Sequence, residues 1–136
     1  MGRMSALHDA TALTQGQSIP PASRNGGASN AAVNGTAIDL RGKRGAYFIL
    51  SAGALTGSAN YAAYLQTSDL ETDPTNGNWT NVNATTYTNA AVTVKTNANT
   101  AFEMSYDPAT GRVPNVRAVL VVDANIALTG ITHVVF

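Results

Sequence analysis

A chain of 136 residues with a hydrophobic share of 44% is long enough to form one domain with a core of its own. Only 12% of its residues are charged, and eight basic residues balance eight acidic ones, so no whole-molecule field exists to hold nucleic acid or an anionic membrane. With no cysteine, a disulfide scaffold, a thiolate zinc site and a cysteine nucleophile are excluded together.

The surface must then be kept wet by Asn, Thr, Ser and Gly. That composition suits extended strands joined by polar turns and argues against long helices with ion-paired faces. No apolar run approaches the roughly 20 residues needed to span a bilayer, and residues 118–122, Ala-Val-Leu-Val-Val, have the length of a strand. The N-terminus carries Arg3 without a continuous apolar stretch before a cleavage site. The expectation is a protein made, or assembled into something, in the cytoplasm.

In chain order, the first 35 residues show no sustained periodicity. Short apolar stretches such as Ala12-Leu13 and Ile19 are interrupted by Gly16, Pro20, Pro21, Gly26, Gly27 and Gly35. Pro20-Pro21 favours an extended polyproline-like backbone, and residues 24–35 have linker chemistry. Residues 1–35 are therefore expected to form an extended arm, and residues 36–136 a folded domain.

From Thr36 the pattern becomes period two, with Ile38 and Leu40 on one face before a glycine-bounded turn at 42–45. Residues 46–51, Ala-Tyr-Phe-Ile-Leu-Ser, are too short for a helix and rich in β-formers, which predicts a central strand. Tyr61, Ala63 and Leu65 alternate in the next strand. A long turn at 68–77 leads to Trp79 and Val82, as in a hairpin with a long loop. Residues 87–95 and 102–106 alternate again, and 115–122 and 126–136 read as a C-terminal hairpin across Asp123-Ala124-Asn125. The fold expected is all-β: a single β-sandwich, jelly-roll-like, or a partly closed barrel of about seven to eight strands.

Chemistry-bearing residues are sparse. His8 lies in the expected arm and His133 in the last strand, neither at a metal-ligand spacing, and His133 reads as a partly buried strand histidine holding a hydrogen bond. Asp69, Glu71 and Asp73 alternate as calcium-loop ligands do, but Pro74 stands where an EF-hand needs its glycine and no glutamate closes the loop. Ser, Asp and His are all present, yet no nucleophile elbow is. No catalytic residue, metal site or cofactor is expected, and Arg41, Lys43 and Arg44 form a small basic knot opposite the acidic one.

One constellation is more specific: Leu65-Gln66-Thr67-Ser68-Asp69, a turn, then Trp79-Thr80-Asn81-Val82. It resembles a pattern in the capsid decoration, or cement, proteins and related small structural proteins of tailed bacteriophages. Gly35-Thr36-Ala37-Ile38-Asp39-Leu40 and Val116-Arg117-Ala118-Val119-Leu120 agree with that resemblance in the same order, over about residues 17–136. The turn from Asp69 to Asn78 departs from it by being long.

The resemblance implies a non-enzymatic virion structural protein on the outer capsid surface, a homotrimer that ties neighbouring major capsid proteins together. Neither nucleic acid, membrane nor a small-molecule substrate is implied as a partner. Contacts would come from Leu13, Ile19, Pro20, Pro21 and Arg24 in the arm and from Arg41, Lys43 and Arg44 in the basic turn, adding by multivalency. The alternative is a carbohydrate-binding jelly-roll module, with Trp79 and Tyr64 as stacking platforms.

Overall fold

The computed structural model describes residues 14–24, 31–55, 60–68, 78–82, 91–95, 97–106, 115–122 and 126–135. Its regular elements are β1 (Thr14–Arg24), β2 (Ala31–Asn34), β3 (Ile38–Asp39), β4 (Ala46–Ala52), β5 (Tyr61–Ser68), β6 (Thr80–Asn81), β7 (Ala91–Lys95), β8 (Thr100–Tyr106), β9 (Asn115–Val122) and β10 (Ile126–Val135). They form two sheets in which every pairing is antiparallel.

The first sheet has the order β1-β10-β4-β8. The second has the order β2-β9-β5-β6, with β3 also on β9 and β7 also on β5. Taking β2 with β3, and β6 with β7, as interrupted single strands gives the strand order of a jelly roll. The expected all-β sandwich is the architecture found, and the sheets do not close into a barrel.

Alternation in the sequence explains the layers. Along β4, Ala46, Phe48, Leu50 and Ala52 are buried while the residues between them face outward. Met104 and Tyr106 of the neighbouring β8 join them, and Tyr61, Ala63 and Leu65 of β5 with Val116, Ala118, Leu120 and Val122 of β9 meet them from the other sheet. Full burial of each large apolar side chain stabilises the fold by about 1.5–3 kcal/mol. The polar end of the buried Tyr61 is satisfied, its hydroxyl donating to the Asn97 carbonyl at 2.7 Å.

Two sequence expectations are corrected. Residues 14–24 and 31–34 are not an arm: β1 lies along β10, and β2 pairs with Val119 to Val122 of β9. Ile19, expected as an anchor for a partner, is 1% exposed in the domain's own core. β1 escapes a period-two reading because its register with β10 shifts between Gln17 and Ile19, between Ile19 and Ala22, and between Ala22 and Arg24. The first shift lets consecutive residues, Ser18 and Ile19, both be buried. Pro20 and Pro21 sit at the second, on an edge strand, where a missing amide donor is tolerated. A boundary at residue 35 is therefore not where the folded domain starts, and residues 1–13 and 25–30 lie outside the described ones.

The second correction concerns 115–122 and 126–136. These are not a hairpin, because β9 belongs to one sheet and β10 to the other. By contrast, the expected return after the long 68–77 turn is present, with Gln66 opposite Asn81 and Thr67 opposite Thr80.

The sheets are stitched where β2 gives way to β3. The Gly35 amide donates to the Ala118 carbonyl at 2.8 Å in one sheet, and the Thr36 amide to the Ser18 carbonyl at 3.0 Å in the other. Beyond β3, the Lys43 amide closes a turn onto the Leu40 carbonyl at 2.9 Å, with Gly42 at a φ of 73° that its lack of a side chain permits. The register then places Asp39, Asn115 and Ser68 in one row and Thr14, Val135, Ala46 and Tyr106 in the other, all at the same end of the sandwich.

Candidate functional site

The outward face of the second sheet carries a polar strip built by strand register. Gln66 stands between Arg117 of β9 and Asn81 of β6. Arg117 Nε donates to Gln66 Oε1 at 2.9 Å, and Gln66 Nε2 donates to Asn81 Oδ1 at 2.9 Å. Both ends of the Gln66 amide are thereby used, which fixes its orientation and that of the guanidinium. Trp79, just before β6, lies against this chain, with the Arg117 Cζ 4.3 Å from the centre of its ring.

Tyr64 points to the same side from β5, opposite Val119, which is buried yet stands outside the core cluster. Burial lowers the Arg117 pKa, while the nearby Tyr64 acts in the opposite direction. Among the described residues, no carboxylate pairs with Arg117.

A second feature lies at the end where Asp39 and Val135 fall. A pocket of about 220 Å³ is lined by Thr36, Ala37, Ile38, Asp39, Lys43, His133 and Val135. His133 faces inward, its ring tilted at 54° to that of Phe48 with centres 6.3 Å apart. Ser18 Oγ lies 2.7 Å from His133 Nδ1. The ring rests over Gly16, where an added Cβ would meet Cε1 and Nε2 at 2.8 Å. Burial lowers the His133 pKa, favouring the neutral ring. The expected half-buried strand histidine with a hydrogen bond is what the structure contains.

Serine, histidine and aspartate thus occur near one pocket, but not as a hydrolytic relay. Ser18 is 2% exposed, so its hydroxyl is closed to a substrate. The Asp39 carboxylate is engaged by Arg41, which approaches at 2.6 Å through Nη2 and at 3.0 Å through Nε. Those hydrogen bonds, with one from the Arg41 amide, hold the Asp39 pKa below the ordinary carboxylate value. A triad would need that aspartate on the imidazole and an accessible serine.

The residues expected to touch partners fall in different places. Arg24 is tied back onto its own sheet, Nη2 donating to the Pro20 carbonyl at 2.6 Å and Nε to the Thr129 carbonyl at 3.4 Å. Pro20, Pro21, Arg41 and Arg44 are exposed, and Lys43 is half-buried at the pocket rim. Leu13, His8, and the acidic residues Asp69, Glu71 and Asp73 lie outside the described residues. Sequence reasoning named Trp79, Tyr64 and His133 but missed the partners the fold supplies: Arg117 on Trp79, Gln66 on Arg117, and Ser18 on His133. The motifs containing Gln66 and Arg117 were visible, while the register that joins them is a property of the folded sheet.

The outward face of the first sheet is different again. Tyr47 and Ile49 of β4 and Val134 of β10 form a half-buried apolar row. The Tyr47 hydroxyl is bonded to Glu103 of β8, which raises its pKa.

No protein-family model matches the sequence. No curated protein matches it either. Among solved structures, the infectious bursal disease virus VP2 subviral particle aligns with a TM-score of 0.52 and 7% identity, over 91% of this chain and 32% of that one. The infectious bursal disease virus Gt strain structure aligns at 0.50 with 9% identity, over 91% and 31%. The SPBc2 prophage-derived protein YomS aligns at 0.47 with 12% identity, over 90% and 93%. The likeness is one of fold. This chain spans about a third of the VP2 chain it aligns with.

Proposed function

We propose that the chain is a non-enzymatic structural protein of a tailed-bacteriophage virion. In this reading it is a decoration or cement subunit on the outer capsid surface, trimeric, tying neighbouring major capsid proteins together. The observation that carries the reading is the jelly-roll strand order, shared in fold with the VP2 subviral particle. The sequence resemblance to phage decoration proteins supports it independently, through Leu65 to Asp69 and Trp79 to Val82. The sealed Ser18 and the engaged Asp39 count against hydrolysis at the pocket where the needed residue types meet.

The physical work proposed is association. A shell-bound subunit gains from repeated weak contacts, each adding to the residence of the others. We assign such contact to the exposed Arg44, the half-buried Lys43, and the apolar row of Tyr47, Ile49 and Val134. Cosedimentation of the purified chain with expanded phage shells that lack it is the test. The reading predicts saturable binding with a fixed ratio of chain to capsid subunits; a chain that stays in the supernatant at every concentration refutes it.

A further inference from the structure

We propose that the outward strip of Tyr64, Gln66, Trp79, Asn81 and Arg117 is a binding site for a carboxylate-bearing glycan. The site stands on its own geometry and does not depend on the virion reading. Gln66 takes the Arg117 Nε at 2.9 Å, which leaves the two terminal nitrogens of the guanidinium as the fork that suits a carboxylate. The guanidinium carbon lies over the Trp79 ring, 4.3 Å from its centre, and with Nε fixed on Gln66 little freedom remains to be lost on binding.

Charge complementarity names the ligand class. Arg117 is half-buried, and among the described residues no carboxylate neutralises it. Both amide oxygens beside it are engaged, Gln66 Oε1 by Arg117 and Asn81 Oδ1 by Gln66, and the half-buried Tyr64 and Trp79 flank it with ring surface. A neutral sugar stacking on Trp79 would find one face of that ring covered by Arg117. An acidic sugar instead brings the oxygen pair the guanidinium lacks, and its ring C–H groups can meet Tyr64. The same fork would accept phosphate, so the source of the anion is part of the test.

Trp79 is the chain's single tryptophan, which makes its fluorescence a direct probe. The whole chain is titrated with oligomers of mannuronate and guluronate, with neutral cello-oligosaccharides of equal length, and with polyphosphate. The expected result is a saturable change with the polyuronate, at least about tenfold tighter than with either other polymer. Arg117→Gln should weaken polyuronate binding by about tenfold or more while the chain keeps a single cooperative melting transition. The proposal is overturned by no saturable change, by equal response to the neutral or phosphate polymer, or by full affinity in Arg117→Gln. Binding that appears only in an Asp69→Asn, Glu71→Gln, Asp73→Asn variant also overturns it, because the guanidinium's anion would then be the chain's own segment.

Discussion

β10 is paired on both sides, and the two pairings are made differently. Against β4 the register runs unbroken from Gly130 opposite Ser51 to Val135 opposite Ala46. Against β1 it shifts three times. The β4 side is held by alternation: every second residue fills the core, and the ladder follows. The β1 side is held by individual fits, with the His133 ring over Gly16, the Ile19 carbonyl and Pro21 against Gly130, and Arg24 bonded to Pro20 and Thr129. Regular pairing tolerates changes that keep the pattern, whereas fitted pairing depends on particular residues.

The comparison can be broken at either side. Removing residues 1–24 should have the largest effect, since it strips Ile19 from the core and bares the edge of β10. Loss of a single cooperative melting transition is expected, and an intact transition near the full-length temperature would return β1 to the status of an arm. Next come single core truncations: Phe48→Ala should cost about 3–5 kcal/mol and Ile19→Ala about 2–5 kcal/mol, measured by urea unfolding. A cost near zero at Ile19 would mean that β1 adds nothing to the core.

Gly16→Ala sharpens the comparison, because the new methyl would collide with the His133 ring. A loss of about 1–3 kcal/mol is expected. The double variant Gly16→Ala, His133→Ala should recover part of it, since the colliding ring is gone.

Acidification should act through the same histidine. Burial lowers its pKa in the folded chain, while the unfolded chain keeps a value near 6.5. Above that value both states are neutral and His133 leaves stability independent of pH. As pH falls through 6.5 the unfolded state takes the proton first, so stability declines until pH passes below the folded pKa. Asp39 and Lys43 line the same pocket with opposite charges, and Ser18, Gly16 and Phe48 contribute none. Melting temperatures between pH 8 and 5 should therefore fall for the native chain and flatten in His133→Gln. The smallest effect is expected at Thr129, whose buried Oγ1 has no hydrogen-bond partner. Thr129→Val should raise stability by up to about 1 kcal/mol.

The same contrast marks what was legible in the sequence. Ile38 with Leu40, residues 46–51, Tyr61 to Leu65 and residues 102–106 announce strands because one face of each is buried and the other is not. That pattern was enough for the sandwich. β1 looks like an arm in the sequence because its burial depends on irregular register with a strand more than 100 residues later in the chain, and alternation carries no trace of that. The supposed C-terminal hairpin failed for a related reason: two adjacent apolar strands declare their faces but not whether they share a sheet. At the surface, Trp79 could be singled out as an aromatic after a turn. Its partner Arg117 could not, since Gln66 brings them together only once β5 lies between β6 and β9.

The proposal that this jelly roll works by contact on a virion is tested most directly by imaging phage particles purified from a lysate that produces the chain. Image reconstruction should show a two-sheet sandwich at regular outer positions touching the shell, and mass spectrometry should recover the chain in a fixed ratio to the major capsid protein. A chain recovered only from the unassembled fraction, with no such density on the particles, would contradict the account.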